Sequence, residues 1–307
     1  MRGRFTSLPV LLLCSPLVGT VTAQTTAVSL KAPNLGEIRR ELQAESLGKV
    51  LKDAGRPMIL NGQIADPLDY PFTFQGASGG DICTWFLVSA QALLGAAHCV
   101  VGANSTAPLA TVTFNAAGTR YRATCTVSSA YWKDRSQDWA ACRVDTPVPI
   151  QAASGSPVIG YEVIGTRLDV LADRPRVEIS GYGCVVPGGG PVEGYRVGQA
   201  RITEVPPNAN IPGAGAPTPN AIKIAQSPSL LCQGDSGGPA FFYPSAQDRV
   251  HRVVVGINSA TAIDAGRSYL ASLGTPAALD FLSTWAKHQG LLLCGLDKRA
   301  QNCRPYR

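Results

Sequence analysis

The sequence predicts an all-β chain: two packed antiparallel β-barrels, at about 59–155 and 156–274, followed by a C-terminal helix. Three observations predict it. Short apolar or alternating runs recur at 81–88, 121–127, 176–182 and 253–258, the lengths and patterns of strands. Proline and glycine cluster between such runs, at 186–191 and 206–219, where surface loops are expected. Only 275–287 carries a helical pattern, with Leu279, Leu282 and Trp285 near one face after Pro276.

Taken in order, the chain opens with Arg2 and Arg4, an apolar run from Leu8 to Val18, and small residues ending Val21-Thr22-Ala23. This is the pattern of an export signal over 1–23, cleaved before Gln24, and it is too short to span a membrane. Residues 24–58 differ in composition and read as a propeptide or an N-terminal extension. Leu35, Ile38 and Leu42 share a helical face, but Leu47, Val50 and Leu51 fall well round from it. In the strand 176–180, Val177 and Ile179 are expected to face one way and the polar residues the other. The main unit runs over 59–290 and leaves 291–307 as a tail. No internal repeat is evident.

Composition bounds the function. The chain has 307 residues, 45% hydrophobic and 16% charged, enough apolar material for a large core and too little charge for disorder. The formal net charge of +6 falls to +4 once Arg2 and Arg4 leave, with 25 basic against 21 acidic residues. No Lys/Arg block suggests a nucleic-acid partner. No later stretch is apolar for long enough to cross a membrane once the signal is removed.

The chemistry is concentrated in Cys232-Gln233-Gly234-Asp235-Ser236-Gly237-Gly238-Pro239. Glycines let the backbone turn so that the N–H groups of Gly234 and Ser236 converge beside the Ser236 hydroxyl, as an oxyanion site requires. A tight turn without chemistry is the alternative. A serine nucleophile needs a base and an acid to orient it. Of three histidines, His98 lies in the apolar segment Leu93-Leu94-Gly95-Ala96-Ala97-His98-Cys99, whereas His251, among Asp248, Arg249 and Arg252, and His288 read as surface residues. Asp138, in Gln137-Asp138-Trp139-Ala140-Ala141-Cys142 where a polar segment gives way to an apolar run, is the candidate acid. Its other role would be that of a strand-end turn residue.

With Ala96-Ala97-His98-Cys99, Gly234-Asp235-Ser236-Gly237-Gly238-Pro239 and the order His98, Asp138, Ser236, the chain resembles the chymotrypsin/trypsin family of serine endopeptidases over about 59–287. The resemblance implies six strands in each barrel, a cleft between them, and hydrolysis of peptide bonds through an acyl-enzyme. It implies no cofactor and no metal. Protein or peptide substrates and protease inhibitors are the partners it implies. It adds Ser259, in Val255-Gly256-Ile257-Asn258-Ser259, as support for the acid and as lining of the cleft. Two departures stand out: Gly95 where the family has threonine, and Ala260 where it has an aromatic residue. A non-catalytic binding protein on the same fold is the rival reading. An esterase of another fold is weaker, because such enzymes usually place serine before the acid and histidine.

Of nine cysteines, Cys14 leaves with the signal, and eight remain. An even number in an exported chain suggests four disulfides and a secreted or periplasmic location, although eight cysteines allow 105 pairings. The resemblance implies Cys83 with Cys99. We infer Cys125 with Cys142, Cys184 with Cys232, and Cys294 with Cys303. The family partner of Cys232 would follow Ser259, where this chain has no suitable cysteine before Cys294, so Cys184 takes that place. A zinc site is the alternative for clustered cysteines, but the chain has no Cys-Xaa-Xaa-Cys pair.

The resemblance also reaches activation and specificity. Ile59-Leu60-Asn61-Gly62 is similar to the mature start of the family, whose freed amino group pairs with the aspartate before the nucleophile, here Asp235. The cut would follow Met58, which a trypsin-like activator would not make directly. The resemblance places Leu230 at the base of the specificity pocket, with Leu231, Ala260 and Thr261 lining it and Arg267 on its wall. An apolar preference is expected first, acidic second and basic third. Asn104-Ser105-Thr106 is a glycosylation acceptor pattern.

Overall fold

Along the strand Thr111–Ala116, Val112, Phe114 and Ala116 are buried while Asn115 faces out, the two-residue period of a half-buried strand. The computed structural model describes residues 59, 61–78, 81–101, 111–150, 160–184, 194–226, 228–245 and 250–305. The expected signal, the 24–58 segment, the Asn104-Ser105-Thr106 pattern and the 186–191 loop lie outside them.

Thirteen strands are described: β1 (Gln63–Ile64), β2 (Thr73–Ser78), β3 (Asp81–Ser89), β4 (Ala92–Gly95), β5 (Thr111–Ala116), β6 (Thr119–Val127), β7 (Ala140–Val144), β8 (Arg176–Gly181), β9 (Arg196–Glu204), β10 (Ala221–Gln226), β11 (Pro239–Phe242), β12 (Val253–Ala262) and β13 (Arg267–Ser272). The first barrel closes in the order β2-β3-β4-β7-β6-β5, and the second runs β9-β10-β13-β12-β11-β8 and closes by pairing β8 with β9. All paired strands are antiparallel. β1, which sequence order puts with the first barrel, pairs instead with β9 at the edge of the second. The four runs read from sequence correspond to β3, β6, β8 and β12.

Trp85 fills the first barrel, wholly buried. A Cβ on Gly95 would fall inside the van der Waals envelope of its indole ring. That is the physical reason for glycine where the related family carries threonine.

The helix α1 (Pro276–Gln289) is capped by the Thr275 side chain, starts with proline and ends at Gly290 with φ 66°, the expected stop and start chemistry. Leu282 and Trp285 are buried. The helix follows the last strand of the second barrel but returns to the first. There Phe281 stacks on Trp139, ring centroids 6.2 Å apart, and Arg143 on β7 donates to the Gln289 carbonyl at its C-terminus. All four disulfides join the pairs inferred: Cys83–Cys99, Cys125–Cys142, Cys184–Cys232 and Cys294–Cys303.

Charged residue types that usually lie at the surface are here drawn into one buried charge network. Glu178, on the strand face opposite Val177 and Ile179, is 2% exposed and accepts from Tyr70 at 2.5 Å, Tyr243 at 2.6 Å and Gln199 at 3.2 Å. Arg252, placed in an exposed turn with His251, is 1% exposed and lies over the rings of Tyr70 and Phe241. In the 291–307 tail, the described Leu293, Cys294 and Arg304 are buried. Arg304 is 3% exposed, and with Arg252 it grips the fully buried Glu162 while both donate to the Asp69 carbonyl. Burial alone would push the Glu162 pKa up, but the two guanidinium groups hold it below the ordinary carboxylate value. A depressed acid contributes stability above its unfolded pKa and loses it as pH falls through the folded one.

Glu162, Glu178, Arg252 and Arg304 balance in charge, so removing one cation leaves a buried anion uncompensated. Arg304→Met should therefore lower unfolding stability at neutral pH by about 3 kcal/mol, as measured by urea denaturation. A loss below about 0.5 kcal/mol, the size of an ordinary surface change, would show that Arg304 carries no such load.

Candidate active site

His98 sits in a single 3-10 turn, Ala97–Cys99, directly after β4. Cys99 ties that turn to β3 through Cys83. Asp138 closes the irregular segment that leads into β7, and its side chain is 2% exposed. One of its oxygens takes the backbone N–H of His98 at 2.9 Å. The other lies 2.7 Å from His98 Nδ1 and accepts from Ser259 Oγ at 2.7 Å. Ser259 stands on β12 where the register shifts between Asn258 and Ala260. One carboxylate thus joins a histidine of the first barrel to a serine of the second.

The His98 side chain is 32% exposed. Its burial disfavours imidazolium, but the adjacent hydrogen-bonded Asp138 carboxylate, with a further push from Asp81, raises its pKa above the ordinary histidine value. The Asp138 contact also fixes Nδ1 as the protonated nitrogen of the neutral ring, which leaves Nε2 as the basic one. Cys83 and Cys99 lie close to His98 in a metal-like grouping, but their sulfurs are joined to each other and offer no thiolate.

Ser236 lies in the turn between Cys232 and β11. β3 holds this turn from the first barrel: Thr84 N donates to Ser236 O at 2.8 Å, and Thr84 Oγ1 donates to Gly234 O at 2.8 Å. From the second barrel, Asn258, fully buried, donates to Asp235 O at 3.0 Å and accepts from Gly237 N at 2.8 Å. Gly234 and Gly237 have φ 97° and 83°, conformations that favour glycine. The N–H groups of Cys232, Asp235, Gly237 and Gly238 are all spent in hydrogen bonds. Those of Gly234 and Ser236 donate to no described residue, which leaves them open to an oxyanion.

Asp235 is wholly buried and accepts from Gly183 N and Cys232 N, both at 2.8 Å. Burial lifts its pKa to about 7 against the opposing pull of those N–H groups and of Arg196. With Met58 still attached, the Ile59 nitrogen is a peptide nitrogen, and the structure does not join it to Asp235. Ile59 is nevertheless fully buried. Asn61 anchors the segment beside it, donating to Pro228 O at 2.9 Å and accepting from Ser229 Oγ at 3.1 Å.

Beside Ser236 opens a cleft of about 240 Å³ whose walls include Leu231, Ser259, Ala260, Thr261, Ile263 and the Cys184–Cys232 disulfide. Two expected members fall elsewhere. Leu230 is buried beneath the surface, and Arg267 is exposed on the outer side of β13 while its neighbour Ser268 turns inward. Alternation along the strand sends these two side chains opposite ways. Thr84, Asn258 and Ile263 were not singled out from the sequence. The available signal was a polar residue inside an apolar run: Thr84 within Cys83-Thr84-Trp85-Phe86-Leu87-Val88, and Asn258 after Val253-Val254-Val255-Gly256-Ile257.

The family model described as Trypsin matches residues 59–277; the chain belongs to that family. No curated protein matches the sequence. Solved structures similar to this chain include a Glu endopeptidase in complex with MPD, at 19% identity and TM-score 0.53, covering 74% of this chain and 97% of that one. They also include human heparin binding protein, as a doubly substituted mutant, at 16% identity and TM-score 0.52, covering 74% and 96%. A structure of HBP at atomic resolution has 16% identity, TM-score 0.53 and the same coverage. At these identities the likeness shows the fold. Among the described residues no helix is long and apolar enough to cross a membrane. A trypsin-family domain with four disulfides is typical of extracellular proteins.

Proposed function

We propose that this chain is a secreted or periplasmic serine endopeptidase acting through an acyl-enzyme. The observation that carries the reading is the single buried carboxylate of Asp138 shared by His98 and Ser259, beside the cleft that Ser236 lines. Ser236 Oγ attacks the scissile carbonyl while His98 Nε2 takes its proton. Asp138 holds the ring and stabilises imidazolium, and the N–H groups of Gly234 and Ser236 receive the oxyanion. His98 returns the proton to the leaving amine as the C–N bond breaks. Water, deprotonated by His98, then releases the acyl group and restores the serine. The partners are protein or peptide substrates, with protease inhibitors as competitors for the same cleft.

Ser236→Ala removes the nucleophile and little volume. It should lower peptide hydrolysis by about 10⁶-fold and abolish labelling by a fluorophosphonate probe, with the unfolding midpoint unchanged. Failure of the processed wild type to label or hydrolyse would instead favour a non-catalytic binding protein.

Activation belongs to the same proposal. Ile59 is buried beside Gly198 on β9, and Asn61 bonds to Pro228 and Ser229 in the loop that leads into the Ser236 turn. Asp235 is an acid whose pKa of about 7 a nearby cation would lower. Cleavage after Met58 would create such a cation. Protein beginning at Ile59 is expected to exceed protein beginning at Gln24 in kcat/KM; equal activity of the two purified forms refutes this.

The pocket floor supports an apolar preference on the acyl side of the cut. Leu231 N donates to Ser268 Oγ at 3.2 Å, Ser268 Oγ lies 3.0 Å from Thr261 Oγ1, and Thr261 Oγ1 donates to Arg267 O at 3.3 Å. These polar groups are already engaged with one another, and the Arg267 side chain points away. Alanine, valine or leucine should therefore be preferred and lysine and arginine should come last; the second rank expected for glutamate depends on Arg267 and falls with its placement outside the cleft. Each well-fitted apolar group is worth about 10- to 200-fold in kcat/KM. Peptides differing only at that residue measure the order, and fastest cleavage after lysine or arginine would overturn it.

A further inference from the structure

The segment that carries Asp138 has no regular structure between β6 and β7, yet it leads to a residue whose position must be held closely. Its backbone groups find partners through a compact turn centred on Asp134. The Asp134 carboxylate accepts from Ser136 N at 3.0 Å, from the Ser136 hydroxyl and from Gln137 Nε2 at 3.3 Å. Gln137 Oε1 in turn accepts from Ser128 Oγ at 2.8 Å. All of these lie on the first barrel. The tie that leaves it is Asn220, at the start of β10 in the second barrel. Its Nδ2 donates to Asp134 Oδ2 at 2.8 Å and its backbone N donates to Ser136 Oγ at 3.0 Å.

Asn220 is itself fixed. Its carbonyl accepts from Ser272 N at the end of β13 at 2.9 Å. The loop before it is pinned by Thr218, whose hydroxyl takes Ile211 N at 2.9 Å and donates to Ala209 O at 3.1 Å. Ser136 is wholly buried and Asn220 is 6% exposed, so the bond from Asn220 N to Ser136 Oγ is shielded from competing water, while the Asp134 end is part-buried. Ser136 lies two residues before Asp138, so a shift of the latch reaches the carboxylate through two peptide units.

We propose that Asn220 is a positioning residue for Asp138, acting through Asp134 and Ser136 to latch the acid's segment onto the second barrel. The inference rests on the hydrolase reading for its kinetic consequence, but its structural content stands apart from it. His98 is oriented by Asp138, and a misplacement of about 1 Å in such a group costs on the order of 100-fold in rate. Ser259 holds the Asp138 carboxylate from the cleft, while Asn220 holds the chain leading to it. Two attachments to the second barrel fix both ends of the same short stretch.

The test is a charge conflict and its repair. Asn220→Asp sets a second carboxylate against Asp134, and Asp134→Asn in the same chain restores one donor and one acceptor across the tie. Asn220→Ser removes the side-chain donor without adding charge and keeps the backbone N–H, should the first variant fold poorly. For each, kcat and KM are measured on a cleaved peptide. The low-field proton resonance of the His98 Nδ1–H to Asp138 hydrogen bond is followed by NMR, and the unfolding midpoint is recorded.

The expected result for Asn220→Asp is a kcat lower by about 10-fold or more, KM within about twofold, and a shifted or broadened resonance. The double variant should recover both. A fall in unfolding midpoint that the double variant repairs, with resonance and kcat of the folded protein unchanged throughout, would overturn the proposal. If the wild type proves not to hydrolyse peptides, the resonance alone decides: unmoved in Asn220→Asp and Asn220→Ser, it refutes the latch; moved and then restored, it upholds it.

Discussion

A carboxylate that is 2% exposed has to replace its lost water with donors from the protein, and Asp138 draws its donors from both barrels. Burying such a charge without them would cost several kcal/mol. The barrels therefore satisfy Asp138 only when β12 brings Ser259 against the His98 turn. Packing the two barrels and assembling the site are one physical problem. Thr84 reaching across to Gly234 and Ser236 ties the same interface on the side of the Ser236 turn. The helix α1 straps it again by carrying Phe281 from the second barrel onto Trp139, the residue next to Asp138.

Behind the cleft the interface is held by different chemistry. Glu162 comes from the connection between the barrels, Arg252 from the approach to β12, and Arg304 from the last turn of the chain. Each lies far from the others in sequence, so the cluster can form only after the barrels are in place. Its net charge is compensated by Glu178 across Tyr70. Such clusters contribute less net stability than an apolar core of the same volume, but they tolerate no missing partner. The Cys294–Cys303 disulfide keeps Arg304 on a short tether. Arg304 is thereby held as part of the buried interior.

The two barrels and the helix were legible because they rest on local signals, strand period and proline and glycine placement; the cysteine pairs were reached only through the family resemblance and inference from it, since eight cysteines alone allow 105 pairings. The candidate site was legible from local signals too, since His98 and Ser236 sit in turns whose sequence reports their shape. What escaped depends on contacts between distant segments. Glu178 alternates like an outward residue, and only Tyr70, Tyr243 and Gln199, all remote in sequence, make its burial tolerable. Arg252 reads as a surface charge until Glu162 and the two aromatic rings are known. Arg267 was set on the pocket wall by motif alignment, and strand alternation next to the inward Ser268 carries it outward. β1 joined the second barrel because the start of β9, at Arg196 and Val197, runs past the end of β10 and is free to pair there, which sequence order does not reveal.

The two buried acids near the nucleophile turn are held in opposite ways, and the difference bears on how the site is switched. Asp138 has a base and a hydroxyl bonded to it, partners that stay fixed as long as the barrels stay packed. Asp235 has two backbone N–H donors and a pKa of about 7, so its proton is only loosely decided at neutral pH. The carboxylate packs directly against Gly181 and Gly183, where a Cβ on either residue would collide with it, so the absence of side chains there is what makes room for it. The turn between Asp235 and Gly238 is built on its backbone. A cation arriving near Asp235 is thereby coupled to the two unspent N–H groups on either side of it, and the proposed dependence on a free Ile59 amine follows from that coupling.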